Sequence, residues 1–422
     1  MLVASDTQSL RIDIERIKKN ILELATIGRS ESDRGIYRMA FTDADMEGKR
    51  WLLDHIDEAD LSSGSDGAGN IFGRIIPEGE AKEAPSILMG SHIDTVPCAG
   101  ALDGSLGVVV ALECLRTIRA SGVELKRPLE LVAFSDEEGR FGGMFGSEAF
   151  CGLISPAVFD RKDLDGVRLG DALLKQGMDP IKALDAARSR ESVEAYLELH
   201  IEQGPVLDRK KLSVGVVENI TGLFKWQVRF RGDANHAGTT PMEMRNDAFM
   251  GLADFAHELP RIIDENGSPQ SRATIGKAQI LPGSPNTVPG LVEFSLDVRD
   301  TDASVLEELS RSCQKALAAS ARRRGLKFDY DELSLIAPVQ CDEGLVKILG
   351  EEAEALSLKS MHMPSGAAHD AQILGGMTRM GMIFAPSRGG KSHSPEEWTA
   401  WEDVEAASNL ALRALLRLGL AE

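Results

Sequence analysis

Three short apolar runs constrain the fold of this chain more than any other feature: SILMG at 86–90, LELVAF at 129–134 and YLELHI at 196–201. Each is too short for a typical helix. Between the first two lies LGVVVALECLRTI at 106–118, long enough for a buried crossover helix. Helical spacing of apolar residues recurs at 12–24 and 46–56. Apolar strands alternating with helices imply a mostly parallel sheet with flanking helices, an α/β domain whose strands are buried on both faces.

From about residue 213 to 329 the rhythm changes. Strand-like segments at 224–230, 273–280, 292–299 and 326–330 alternate with helical patterns at 246–259 and 303–322. The order βαββαβ predicts a small α+β, ferredoxin-like domain. Helical patterns return at 343–356 and 402–418 around an apolar segment at 381–385. The economical arrangement is a discontinuous domain, 1–212 with 330–422, carrying an insertion at 213–329.

Charge narrows the function classes. With 47 Lys+Arg against 66 Asp+Glu, the net charge is 47 − 66 = −19. That balance argues against nucleic acid, whose binding needs a basic footprint, and against an anionic membrane surface. No apolar stretch approaches the ~18 residues of a membrane span. The N-terminal MLVASDTQSLRIDIERIKKN lacks the basic, apolar and small-residue order of a secretory leader. Five scattered cysteines without a CxxC pair fit a reducing compartment. The expectation is a cytoplasmic protein.

The apolar runs end in side chains able to hold metal. The first leads into Ser91-His92-Ile93-Asp94, and the second into Ser135-Asp136-Glu137-Glu138-Gly139. The third contains His200 and leads into Glu202-Gln203-Gly204. In an open parallel sheet the carboxyl ends of the strands share one crevice, where ligands bind. Asp103, just before the long apolar helix, and His393, in the C-terminal return, are positioned to join them. Zinc and manganese accept imidazole nitrogen and carboxylate oxygen, and a pair of ions needs a bridging carboxylate. Of the adjacent Glu137 and Glu138, one can bind metal while the other stays free as a base. His55 and His257, inside helical patterns, read as structural. Residues alone make His236 a turn residue and Arg299 a strand-end ion pair with Asp297 or Asp300.

At these positions the sequence resembles the hydantoinase/carbamoylase family of amidases, within the wider aminoacylase and dipeptidase metallohydrolase superfamily. The matching segments run in family order along most of the chain: GSHIDTV (90–96), LDGSLGVVVALE (102–113), FSDEEGRFGGMFGS (134–147), ELHIEQGPVL (198–207), GDANHAGTTPM (232–242), PNTVPG (285–290), LDVRD (296–300), PSGAAHDA (364–371) and SHSPEE (392–397). EEGRF together with HIEQGPVL is the most specific, because the broader superfamily usually has a carboxylate in place of His200.

The resemblance implies a metallopeptidase-like catalytic domain with an inserted lid and dimerisation domain. It implies two divalent ions per subunit, zinc first, with manganese, cobalt or nickel as alternatives. His92 and Glu138 resemble ligands on opposite metals, Asp103 the bridge, and His200 and His393 the remainder. Asp94 resembles the carboxylate that sets the His92 tautomer, and Glu137 the general base. His236 and Asn286 resemble donors to a developing oxyanion, with His236 supplied by the other subunit of a homodimer. Arg299 resembles a clamp for a substrate carboxylate; Gln203, Gly366 and His369 match positions near the substrate. The implied reaction is hydrolysis of the carbamoyl C–N bond of an N-carbamoyl amino acid or an allantoate-like carboxylate. A deacylase or dipeptidase would use the same machinery, and a non-catalytic binding protein would have lost part of it. The sequence departs from the family's usual form at Cys98, Ala99, Leu102, Ala368 and Lys391, which bears on substrate choice.

Overall fold

A computed structural model describes residues 7–421. Residues 1–6, part of the segment read for a leader, lie outside the described residues. The chain divides into two units. One comprises the described residues to Glu218, then Gln340–Met363 and the residues from His369 onward; the other comprises Asn219–Val339 and Pro364–Ala368.

In chain order the first unit supplies β1 (Ser62–Ser65), β2 (Ile71–Ile75), β3 (Ser86–His92), β4 (Leu129–Phe134), β5 (Val193–Ile201) and β6 (Val214–Ile220). The second supplies β7 (Gly222–Arg231), β8 (Asn235–His236), β9 (Arg272–Thr274), β10 (Ala278–Leu281), β11 (Thr287–Val288), β12 (Leu291–Asp300) and β13 (Lys327–Ile336). The chain then returns through β14 (Val339–Gln340), β15 (Ser360–Ser365) and β16 (Arg379–Ala385).

The main sheet has the order β1-β2-β4-β3-β5-β16-β6-β14, with β15 also on β6. Its four central strands, β4, β3, β5 and β16, are mutually parallel. The flanking pairs β1–β2, β2–β4 and β6–β16 are antiparallel. Every residue of β3 and β4 is buried, which explains why these strands read as continuous apolar runs. Helices Ile14–Leu24, Ser105–Ser121 and Trp401–Gly419 contribute to one core against the sheet. A second apolar cluster gathers Phe41, Phe141, Phe145 and Leu169.

Register decides where the strand ends lie. His92 is level with Phe134 across β3–β4, and Phe384 with His200 across β16–β5. Gly90 pairs with Glu198 across β3–β5, so two residues further on His92 and His200 come side by side. Their ring centroids are 5.9 Å apart.

The second unit is an antiparallel sheet ordered β10-β12-β7-β13, with β9 also on β12. Helices Ala248–Asn266 and Ala303–Arg324 complete its βαββαβ order. Strict alternation along β12 turns Val292, Phe294, Leu296 and Val298 into a core with Trp226, Phe230 and Phe255. Three details differ from the sequence reading. The strand expected at 273–280 is two strands on the same partner; at the break, Ser295 Oγ accepts the Lys277 N–H at 3.1 Å. The first helix continues through Pro260 to Asn266, because Ile262 remains on the buried face. The boundaries also shift from 213 and 329: β6 belongs to the main sheet through β16, and β13 keeps its ladder with β7 to Ile336.

All five cysteines are free thiols. No helix among the described residues is long and apolar enough to cross a membrane. At the centre of β3, a Cβ on Gly90 would lie 1.8 Å from the Val132 carbonyl oxygen. Backbone cannot yield there without breaking the β3–β4 ladder. Gly90→Ala is expected to destabilise the protein by about 3 kcal/mol or more, read as a lowered urea midpoint. An unchanged midpoint would contradict this close strand packing.

Candidate metal centre

The carboxyl ends of β3, β4 and β5 bring the expected side chains of the first unit together. His92 is the last residue of β3 and is 1% exposed. Its Nδ1 lies 3.0 Å from the Asp94 carbonyl oxygen, so an Nδ1–H donates there and Nε2 keeps its lone pair. This corrects the expectation for Asp94: the main chain, not the carboxylate, sets the tautomer. The Asp94 carboxylate instead accepts the N–H groups of Glu137 and Glu138, at 3.3 and 3.2 Å. It thereby ties the β4 turn to the β3 end.

Asp103 sits at the centre. Its Oδ1 lies 3.1 Å from His200 Nε2 and 3.7 Å from His92 Nε2. Its Oδ2 lies 3.4 Å from His393 Nε2, and that nitrogen is 3.5 Å from Glu138. Two groups able to hold a metal therefore share one carboxylate: His92, Asp103 and His200 on one side, and Asp103, Glu138 and His393 on the other. Glu137 lies 3.5 Å from His92 Nε2 and belongs to neither of these two, but forms a third such group with His92 and Glu138, and Glu198, His200 and His369 form a fourth. His393 is the open member, with its side chain 49% exposed.

Local backbone supports this placement. Asp136, Gln203 and His393 all have left-handed φ, near +57°, +56° and +52°. Such conformations cost energy in non-glycine residues and concentrate at functional sites. Gly104 has φ +60°, and a Cβ there would meet three His92 ring atoms at 2.3–2.5 Å. Its N–H donates to His200 Nε2 at 3.1 Å.

Electrostatics suit a cation. Among the described residues, every recorded ion-pair partner of Asp103, Glu137 and Glu138 is an imidazole. Burial, then Glu138 and nearby carboxylates, raises the Glu137 carboxyl well above its usual range. Burial and Asp103 do the same to Glu138. Burial opposes the charge on Asp103, but His200 and its fellow imidazoles hold its pKa well below the usual value. Burial lowers His92 to about 4; at His200 the closer Asp103 contact overcomes burial and raises the ring to about 9. Glu138 Oε1 is buried without a hydrogen-bond partner, a cost of about 1–3 kcal/mol that a bound cation removes. The donor set of imidazoles and carboxylates fits zinc or manganese.

Three neighbours were not singled out from sequence. Glu397 accepts the N–H groups of Leu102 and Asp103 at 2.7 and 3.1 Å. Ser392 Oγ contacts Asp103 Oδ2 at 2.6 Å and Glu397 at 3.1 Å. Glu198 lies two residues before His200 on the same face of β5, a period-two signal, and accepts from Ser91 and the Ala371 N–H. His369 packs edge-on against His200 with centroids 4.6 Å apart. Gln203 donates to Asp103 Oδ2 at 2.7 Å. His55 stacks on Trp51, a structural role.

The second unit holds the other four positions in two pairs. His236 and Thr287 are register partners, and the Ala237 N–H donates to the Asn286 carbonyl at 2.8 Å. The ribbon is only two residues per strand, too short to show periodicity. Asn286 Oδ1 accepts from Ser284, leaving the amide nitrogen as its donor end. Arg299 is held by Asp297 through Nε and Nη2, at 2.9 and 3.3 Å, and donates from Nη1 to the Gly366 carbonyl at 2.8 Å. The ion pair read from the residues alone is thus present. Of the guanidinium's five N–H donors, these contacts use three.

The five departures from the family's usual form have these surroundings. Ala99 bridges to Ile36, Leu102 is core, and Lys391 pairs with Glu396. Cys98 takes a φ of +60° against Gly35. Ala368 lies in the segment Pro364–Ala368.

Residues 88–417 match the model of peptidase family M20/M25/M40. The chain is 37% identical over 407 residues to an N-carbamoyl-L-amino-acid amidohydrolase of Paenarthrobacter aurescens, covering 96% of this chain and 98% of that one. It is 34% identical over 398 residues to an allantoate amidohydrolase of Bacillus subtilis, covering 94% of each. The crystal structure of a hydantoinase/carbamoylase family amidase from Burkholderia multivorans superposes with a TM-score of 0.90 at 33% identity, covering 98% and 99%. The chain belongs to the hydantoinase/carbamoylase amidases of peptidase family M20/M25/M40. An aminopeptidase from Bacillus cereus shares the fold, at 16% identity and a TM-score of 0.69.

The His92–Gly104 contact gives a direct test. Gly104→Ala is expected to swing the His92 ring away and lower bound metal per chain, measured by inductively coupled plasma mass spectrometry after dialysis. Wild-type metal content in that variant would contradict the packing of the site.

Proposed function

We propose that this protein is a metal-dependent amidohydrolase that cleaves the carbamoyl C–N bond of an N-carbamoyl amino acid or an allantoate-like carboxylate. The observation that carries the reading is the division of Asp103 between two groups able to hold a metal, with Glu137 beside them and in neither of these two, although it makes a further such group with His92 and Glu138. The amidohydrolase names of the relatives support the choice of bond.

His92, Asp103 and His200 would hold one divalent ion, and Asp103, Glu138 and His393 a second. Bound there, such ions acidify water and polarise a carbonyl. Glu137 accepts a proton from the attacking water and returns it to the leaving nitrogen. His236 and Asn286 donate to the oxygen on which negative charge develops, and each donor of this kind is worth about 3–4 kcal/mol of barrier. Arg299 pairs with the substrate carboxylate through its remaining N–H groups, and Asp297 sets the plane of the fork. Gln203 and His369 shape the surroundings of the ligands. Zinc is the proposed native metal, with manganese, cobalt or nickel as substitutes. The proposed assembly is a cytoplasmic homodimer in which His236 of one copy serves its partner.

Glu137→Gln should retain metal while kcat falls by about 10²–10⁴-fold; near-normal turnover would remove Glu137 as the base. Arg299→Ala should raise KM for carboxylate substrates by about 10–100-fold, with uncharged amides spared. Equal loss on both would reject the clamp. Ammonia release from N-carbamoyl amino acids and allantoate, against N-acetyl amino acids and dipeptides, separates the proposed reaction from deacylation.

A further inference from the structure

His236 is held in an unusual way. Its Nδ1 faces the N–H groups of two successive residues, Gly238 at 3.1 Å and Thr239 at 3.2 Å. A ring nitrogen that accepts two N–H donors carries no hydrogen, so the hydrogen of the neutral ring sits on Nε2. The two amides converge because the loop 237–240 is curled beneath the ring, and the Thr240 N–H closes it on the His236 carbonyl at 3.1 Å.

One side chain clips both ends of that loop. Arg245 donates from Nη2 to the Ala237 carbonyl at 2.5 Å and from Nε to the Thr240 carbonyl at 3.0 Å. Among the described residues no ion pair is recorded for Arg245, although the protein has a large excess of acids. Its guanidinium is committed to two neutral carbonyls. The parallel Nε–H and Nη2–H bonds of a planar fork can hold two acceptors at a set separation, which a single ammonium cannot. The following residues anchor the stem of the fork. Asn246 Nδ2 donates to Asp233 at 2.7 Å, and Asp247 caps the helix Ala248–Asn266 by accepting from Phe249 and Met250. On the far side, the Ala237 N–H is bonded to the Asn286 carbonyl, so the same brace sets His236 against Asn286.

We propose that Arg245 is a positioning residue that curls the 237–240 loop so that His236 is presented as a neutral Nε2–H donor. This inference rests on the reading of His236 as an oxyanion donor, and it concerns what makes that donor ready before substrate arrives. A donor whose hydrogen is already in place needs no reorganisation as charge develops. Displacement of a positioned group by about 1 Å can cost about 100-fold in rate.

The test uses the full-length, metal-loaded enzyme labelled with ¹⁵N-histidine, with the His236 ring assigned by its absence in His236→Asn. The wild type should show one neutral Nε2–H ring whose Nδ1 is shifted by accepted hydrogen bonds. In Arg245→Met the ring resonances should move toward those of an unconstrained imidazole. In that variant kcat should fall about 10–100-fold while KM changes by less than about twofold. Arg245→Lys should recover only part of both effects, because it supplies charge without the fork. A wild-type ring carrying its hydrogen on Nδ1, or an Arg245→Met ring unchanged from wild type, overturns the proposal. A shifted ring with unaltered kcat upholds the brace and rejects His236 as an oxyanion donor instead. If Arg245→Met does not fold, the wild-type ring and Arg245→Lys decide the matter.

Discussion

Buried negative charge at the ends of β3, β4 and β5 is the constraint on which this structure turns. Asp94 and Asp103 are buried, the Glu137 and Glu138 side chains beside them are 8% exposed, and among the described residues the recorded ion-pair partners of the last three are imidazoles. Carboxylates in such a place are costly unless paired. The surrounding fold holds them there regardless: Glu397 bonds the main chain of the Asp103 loop, the Asp94 carboxylate bonds that of the Glu137 turn, and Gly104 leaves room for the His92 ring. The fold leaves these groups where a cation could be held, and the parallel sheet is what brings the distant candidate ligands to that point.

The second unit answers a different problem, the presentation of donors. Its sheet and two helices form an independent apolar core. The side chains proposed to meet substrate stand on its turns and its polar sheet face. His236 lies in a ribbon of two residues per strand and Asn286 just before its other strand, and Arg299 is steadied by Asp297 and the Gly366 carbonyl. Each is pre-oriented by hydrogen bonds within the unit, so substrate binding need order little.

The parallel core was legible in sequence because fully buried strands leave long apolar runs, and the candidate ligands His92, Glu138 and His200 because they sit at or just past the ends of those runs. The edges were not: β1 is the polar SSGS, with nothing to mark it as a strand until β2 lies beside it. Pro260 made the helix Ala248–Asn266 read short, since local propensity weighs against proline while packing of Ile262 decides the outcome. Among site residues, Glu397 stood inside the quoted SHSPEE segment, yet its contact is with the Asp103 loop almost 300 positions away, a separation no spacing rule reaches. The Asp94 carboxylate was assigned the hydrogen bond that its own main chain makes, because sequence does not say which oxygen of a residue faces a ring.

The most direct measurement is anomalous diffraction from crystals of the metal-loaded protein, collected at the absorption edge of the bound ion. The account predicts two peaks about 3.5–4 Å apart, both touching Asp103, one shared with His92 and His200 and the other with Glu138 and His393. A single peak, or density centred on Glu198 and His369 with Asp103 uninvolved, would contradict it.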